Sequence, residues 1–120
     1  MRTLVISSML LLLSGCSGIP SFWDDNESML AVDVRYAADR VNCDGDYVPD
    51  VLELKNRVDY FVLYTESRGS DDINEMVVLM KETVDGFYKN EKPNAFYCKL
   101  KKKIVVKQSS DIADAVMGRY

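Results

Sequence analysis

Residues 50–90 read DVLELKNRVDYFVLYTESRGSDDINEMVVLMKETVDGFYKN, and this stretch decides the fold. On each side of Gly69 the apolar side chains recur at spacings of three and four, which is the period of one face of a helix. They are Val51, Leu54, Val58, Phe61 and Val62 before the glycine, and Ile73, Met76, Val77, Met80, Val84 and Phe87 after it. The pattern predicts one helix over about 50–68 and a second from Ser70 or Asp71 to about Asn90. Because a glycine often ends a helix, the two should form an antiparallel hairpin that turns at Gly69.

Two local features of this hairpin carry further predictions. The segment from Tyr60 to Tyr64 is apolar on every side, which predicts that it is deeply buried. Ser70 or Asp71 should cap the second helix of the hairpin, and Asp72 and Glu75 have the spacing of a capping box.

The same periodicity continues outside the hairpin. Leu30, Val34, Ala37 and Val41 predict a helix over about 27–42. Pro93 is placed to open a last helix. Its inward residues are predicted to be Phe96, Leu100 and Ile104, followed by Ile112, Ala115 and Val116. No segment has the pattern of a strand, so the sequence predicts an all-α bundle of about four helices.

The N-terminus has the layout of an export signal. One basic residue precedes the ten-residue apolar run Leu4–Leu13. This run is shorter than the roughly 20 residues that a membrane-spanning helix needs, and it has the length of a secretory signal core. The residues that end it, Leu13-Ser14-Gly15-Cys16, resemble the lipobox of bacterial lipoproteins. The resemblance covers only about the first 17 residues. The other interpretation is an ordinary secretory signal that ends near a cysteine by chance.

The lipoprotein resemblance implies a modification, a boundary and a location. It implies cleavage before Cys16 and attachment of diacylglycerol to the Cys16 sulfur. Residues 1–15 would then be the signal peptide, 16–26 a lipidated tether and 27–120 the helical domain. In lipoproteins of this kind an Asp after the lipidated Cys marks retention in the inner membrane. This chain has Ser17 there, which implies the periplasmic face of the outer membrane, with the inner membrane as the alternative.

Two aromatic residues of the tether have two possible locations. Phe22 and Trp23 could rest at the lipid interface, where aromatic side chains are favoured. They could equally dock onto the helical domain, and the sequence leaves both open.

The remaining cysteines, Cys43 and Cys98, are predicted to form a disulfide. An even number of cysteines in an exported chain is typical of a bonded pair. Cys43 lies just before the first helix of the hairpin and Cys98 just after the second, so an antiparallel arrangement brings both to the open end of the hairpin. The alternative is two free buried thiols.

Charge and composition argue against several functions. Residues 17–98 carry 17 acidic and eight basic side chains, whereas residues 99–120 carry two acidic and six basic ones. Nucleic-acid-binding proteins have a broad basic surface instead, so we expect no nucleic-acid partner. The chain has no histidine, and no glycine-rich phosphate loop or nucleophile–base couple is apparent. We therefore expect neither an enzyme nor a cofactor beyond the covalent lipid on Cys16.

The acidic stretch at residues 42–53 is the one candidate for a metal site. Oxygen-bearing side chains fall at positions 1, 3, 5, 9 and 12 of a calcium loop of the EF-hand kind. These weak candidates are Asn42, Asp44, Asp46, Asp50 and Glu53. However, Tyr47 stands where such a loop needs glycine, and Pro49 lacks a backbone N–H. The favoured interpretation is an acidic turn whose carboxylates cap the following helix, with weak calcium binding as the alternative.

The last helix carries a cluster of lysines: Lys99, Lys101, Lys102, Lys103 and Lys107. They are predicted to lie on the arc opposite Leu100 and Ile104, as a solvated face would. The alternative is contact with lipid phosphates or an acidic partner, and the candidate contact residues are Lys99, Lys102, Lys103 and Lys107.

Together these features predict a small lipoprotein that is held at the membrane by its lipid and acts as an interaction or adaptor module of the cell envelope. The alternatives are an exclusion or inhibitory lipoprotein of a phage or mobile element, and a weak calcium-binding module. The partner would be an envelope protein, and the sequence specifies neither its identity nor the oligomeric state.

Overall fold

A computed structural model describes residues 25–90, 92 and 94–118. This part of the chain forms four helices and no strand: α1 (Asp25–Asp39), α2 (Val48–Arg68), α3 (Asp71–Tyr88) and α4 (Ala95–Met117). The predicted all-α bundle is confirmed, and the helix boundaries differ from the predicted ones by at most three residues. The predicted signal peptide, the predicted lipidation site Cys16 and residues 16–24 of the predicted tether lie outside the described residues.

The four helices form a closed ring in chain order. Each helix packs against the next, and α4 packs back against α1. Because every connection is short, neighbouring helices run antiparallel. The start of α1 and the turn at Gly69 therefore lie at one end of the bundle, and the disulfide lies at the other.

The core is built from the stripes that the hairpin sequence predicted. Every predicted inward residue of α2 is buried, and so is each one of α3 except Met76, which is half-buried. Of the residues predicted to face inward from the first helix of the chain, Val34, Ala37 and Val41 are buried and Leu30 is half-buried. Val41 follows the end of α1. A contiguous apolar interior of this kind is the main stabilising contribution in a small helical domain.

The hairpin turn is confirmed in detail. Gly69 has φ 77°, and its N–H donates to the carbonyl oxygens of Thr65 at 3.0 Å and Glu66 at 3.2 Å. A side chain at this left-handed position would be strained, which explains why the residue is glycine. Ser70 is the N-cap residue of α3, as predicted, but its hydroxyl donates to Glu27 at 2.8 Å and accepts no N–H from α3. Asp72 lies inside the first turn of α3, so it cannot act as the first residue of a capping box.

The predicted burial of the segment from Tyr60 to Tyr64 is also wrong. Phe61 and Val62 are buried, whereas Tyr60 is 59% and Leu63 is 60% exposed. The reason is geometric: among the described helices α2 packs on α1 and α3 alone, so these helices leave one side of α2 uncovered whatever its residues are.

The inward face predicted for the last helix is wrong in its first half. Phe96, Leu100 and Ile104 are 78%, 49% and 38% exposed, and Ala115 is half-buried. The buried residues are Cys98, Val105, Ser109, Ile112, Ala113 and Val116. Cys98 faces inward, where it forms the disulfide. Phe96 and Leu100 are each two positions from Cys98, so on a helix their side chains point about 160° away from it. The helix begins at Ala95, where the Asn94 side chain accepts the Tyr97 N–H at 2.8 Å; the predicted opening residue, Pro93, lies outside the described residues.

Candidate interaction surface

The outer side of α4 presents apolar and basic side chains together. Phe96, Leu100 and Ile104 follow one another at spacings of four residues and are all exposed. Lys103 and Lys107 are exposed on the same half of the helix, not on the opposite arc as predicted. We call these five residues the basic apolar face. Exposed apolar groups that form a continuous stripe with a charged border are typical of interaction sites rather than of ordinary solvated surface.

The lysines of α4 differ in how their charges are balanced. Lys107 lies 2.6 Å from Asp111, and this hydrogen bond raises the pKa of Lys107. Lys101 lies 5.7 Å from the centre of the Tyr97 ring. Among the residues that the structure describes, no carboxylate lies within ion-pair distance of Lys99, Lys102 or Lys103. None of these three lysines therefore forms an ion pair with a described carboxylate.

The four candidate lysines do not form one site. Lys99 and Lys102 line a cleft of about 340 Å³ at the disulfide end, which Asp39, Arg40 and the turn at residues 41–44 complete. Lys103 and Lys107 belong to the basic apolar face. The cleft contains carboxylates as well as cations, so it is less suited to an anionic ligand than the lysines alone suggest.

The acidic stretch at residues 42–53 uses its side chains to hold its own backbone. The Asn42 N–H donates to Asp50 at 3.0 Å, and the Asp44 N–H donates to Asn42 Oδ1 at 3.0 Å. Asp46 accepts the N–H of Val48, the first residue of α2, at 3.2 Å. These are the contacts of an acidic turn at a helix start.

The calcium-loop residues are not gathered around one point. Glu53, the last of them, pairs with Arg57 at 2.6 Å. No group of three or more Asp, Glu, Cys or His side chains placed to hold a metal ion occurs in the described ranges.

The predicted disulfide is present. Cys43 and Cys98 are bonded with their Cα atoms 5.5 Å apart, and they join positions 55 residues apart in the chain. The bond closes the open end of the α2–α3 hairpin, as the cysteine positions predicted, and it fixes the start of α4 beside the turn before α2.

A second exposed apolar region, which the sequence analysis missed, lies between α1 and α2. Two adjoining hollows of about 340 and 260 Å³ are lined there by Leu30, Asp33 and Tyr60, with Met29 and Tyr64 on the side near the start of α1. We call this region the α1–α2 groove. Its signal was present in the apolar segment from Tyr60 to Tyr64, which the periodicity alone assigned to the core.

Toward the disulfide end the α1–α2 groove is bounded by ion pairs. Arg57 lies 3.3 Å from Asp33 of α1 and 2.6 Å from Glu53 of α2. The other end of the groove reaches Asn26, in the first turn of α1.

The chain was compared with known protein families, curated proteins and solved structures. No protein-family model, curated protein or solved structure matches the chain. None of the helices among residues 25–118 that the structure describes combines the length and the apolar character needed to cross a membrane.

Proposed function

We propose that this chain is a lipid-anchored protein of the bacterial cell envelope that acts as an interaction module. The resemblance of Leu13-Ser14-Gly15-Cys16 to a lipobox supports the anchor. The Cys43–Cys98 disulfide supports export, because such bonds persist in oxidising compartments and are rare in the cytosol. Ser17 after the lipidated residue favours the outer membrane.

The proposed anchor is strong enough to be permanent. Each buried CH₂ of an acyl chain contributes about 0.8 kcal/mol, and a single chain binds only marginally. Two or three chains on Cys16 would therefore hold the domain at the membrane, where it could meet a partner without dissociating.

The basic apolar face is the observation that carries the interaction role. Phe96 is the most exposed large apolar side chain of the described residues, at 78%. Aromatic side chains in an apolar centre contribute much of the affinity of protein interfaces, and surrounding charges select the partner. The partner that fits is a protein surface with an apolar pocket bordered by carboxylates.

Site-specific photocrosslinking in cells tests this proposal with the full lipidated chain. A photoreactive residue at Leu100 should give an adduct with one envelope protein. The same residue at Leu63, which is 60% exposed against 49% for Leu100 but lies on the diagonally opposite helix α2, should not. Phe96→Ser and Lys103→Glu should each remove the Leu100 adduct and leave the fold unchanged, because exposed substitutions change stability by only about 0.5 kcal/mol.

The outcome also separates the kinds of interaction role. A captured assembly component would make the protein an adaptor, and a captured receptor or envelope enzyme would make it an inhibitory lipoprotein. Adducts to lipid alone, or the same adducts at Leu63 as at Leu100, would contradict the proposal.

A further inference from the structure

The α1–α2 groove carries apolar surface that the four-helix core does not use. Met29 is 69% and Tyr60 is 59% exposed, and Leu30 and Tyr64 are half-buried beside them. Side chains of this kind are stabilised when another apolar group covers them. The groove therefore fits an occupant with a large apolar side chain.

The chain itself supplies such an occupant directly before α1. Residues 17–24 read SGIPSFWD and contain three large apolar residues, Ile19, Phe22 and Trp23. An aromatic side chain can bury roughly 150–250 Å² of surface, more than any other kind. Trp23 is also the only tryptophan of the protein.

Chain connectivity places Trp23 within reach of the groove. Asn26 and Met29 lie on the first turns of α1 and line the hollow of about 260 Å³. Trp23 precedes Asn26 by three residues, and an extended chain spans at most about 3.6 Å per residue, so their Cα atoms are within about 11 Å. The basic apolar face begins at Phe96, at the other end of the bundle. The two ends of the bundle are separated by about the length of α1, which is roughly 20 Å.

We propose that Trp23, with Phe22 beside it, docks into the α1–α2 groove against Met29 and Tyr60. The docking chooses between the two locations that the sequence left open for these aromatic residues. It shortens the free spacer after Cys16 to residues 17–21, which span at most about 18 Å. The end of the bundle that holds the start of α1 and Gly69 is then kept close to the anchor. The docking depends on neither the lipid nor the partner of the proposed function.

Fluorescence of the single tryptophan tests this directly in the full lipidated chain reconstituted in phospholipid vesicles. Acrylamide in the water quenches an exposed indole, and a brominated phospholipid quenches one that lies in the bilayer. Docked Trp23 should be quenched weakly by both. Met29→Ser and Tyr60→Ser should each increase acrylamide quenching several-fold. Leu79→Ser, at a site on α3 that is 56% exposed, should leave the quenching unchanged.

Circular dichroism melting of each variant shows whether the bundle is still folded, and the two groove variants provide independent tests if one is damaged. Strong quenching by the brominated lipid would place Trp23 at the membrane interface and overturn the proposal. Strong quenching of the unmodified protein by acrylamide, with no effect of the groove substitutions, would overturn it as well.

Discussion

Glu27 connects the first helix to the hairpin turn through a buried carboxylate. It is 1% exposed and accepts a hydrogen bond from the Ser70 hydroxyl at 2.8 Å, and Arg68 Nε lies 3.7 Å from the same oxygen. The bond joins residues 43 positions apart in the sequence. A buried carboxylate depends on such donors because it has lost its contact with water. Ser70 is therefore used for a tertiary contact that helix-capping rules do not predict.

Removal of the Ser70 hydroxyl should destabilise the fold more than its size suggests. Ser70→Ala leaves the buried Glu27 carboxylate short of a donor, so we expect the free energy of unfolding to fall by about 1–3 kcal/mol. The matched control is Ser67→Ala, which removes an exposed hydroxyl bonded to the Leu63 carbonyl of its own helix; it should change stability by only about 0.5 kcal/mol. Urea unfolding measures both, and equal effects would contradict the role of the Glu27–Ser70 bond.

At the scale of helices, four charged residues form an alternating square across the seam between α2 and α3. Lys55 lies 2.7 Å from Asp59 and 3.3 Å from Asp85, and Lys81 lies 3.0 Å and 2.8 Å from the same two aspartates. Burial alone would raise the pKa of both carboxyl groups, but the hydrogen bonds from the two lysines outweigh it and hold each pKa below its ordinary value. The same hydrogen bonds raise the pKa of Lys55 and Lys81.

This square should make stability depend on pH at both extremes. A lowered carboxyl pKa stabilises the folded state above the unfolded value of about 3.9, and the contribution is lost as the pH falls below it. A raised lysine pKa stabilises the folded state below about 10.4, and the contribution is lost as the pH rises above it. Stability should therefore be highest between these limits.

Asp85→Asn tests the acid side of this dependence. The variant should be less stable than the unmodified protein at pH 7, but it should lose less stability between pH 7 and about pH 3, because one of the two shifted carboxyl groups is gone. Glu82→Gln is the control, since Glu82 is exposed on the same helix and no ion pair joins it to a described residue. Denaturant unfolding at the two pH values measures the difference, and parallel losses in all three proteins would contradict the account.

The disulfide should contribute a large share of the stability of so small a domain. A bond that closes a loop of 55 residues stabilises by about 4 kcal/mol in the chain-entropy model. We expect a reductant to lower the melting temperature markedly. The double variant Cys43→Ser/Cys98→Ser should already melt at the lower temperature and should not respond to the reductant. An unchanged melting temperature of the unmodified protein under full reduction would contradict this prediction.

The hairpin could be predicted from sequence because its two stripes are long and regular and a single glycine separates them. The disulfide followed from the same geometry. Rotation of a helix about its own axis is harder to predict when both sides carry apolar residues. In α4 the stripe from Phe96 to Ile104 competes with the one that starts at Cys98, and the disulfide of Cys98 favours the second.

The same ambiguity hid both candidate surfaces. Periodicity measures how apolar residues are spaced, and it does not report whether a neighbouring helix covers them. Tyr60 and Phe61 are adjacent and both aromatic, yet one is 59% exposed and the other is fully buried. The groove and the basic apolar face therefore appear only when the helices are packed.

For the whole molecule, the antiparallel ring separates the proposed anchor from the proposed interaction surface. The start of α1, where the proposed tether would join the domain, lies at the Gly69 end of the bundle. The basic apolar face begins at Phe96, at the disulfide end, and runs along the side of α4. A domain held at one end would thus present this face away from its point of attachment, where a partner protein has access to it.

Intact-mass spectrometry of the native polypeptide purified from membranes tests the central claim most directly. The account predicts a chain that begins at Cys16 and carries a diacylglycerol on the Cys16 sulfur, with two fewer hydrogens than the reduced form because Cys43 and Cys98 are bonded. A polypeptide that retains residues 1–15, or one that begins at Cys16 without lipid, would contradict it.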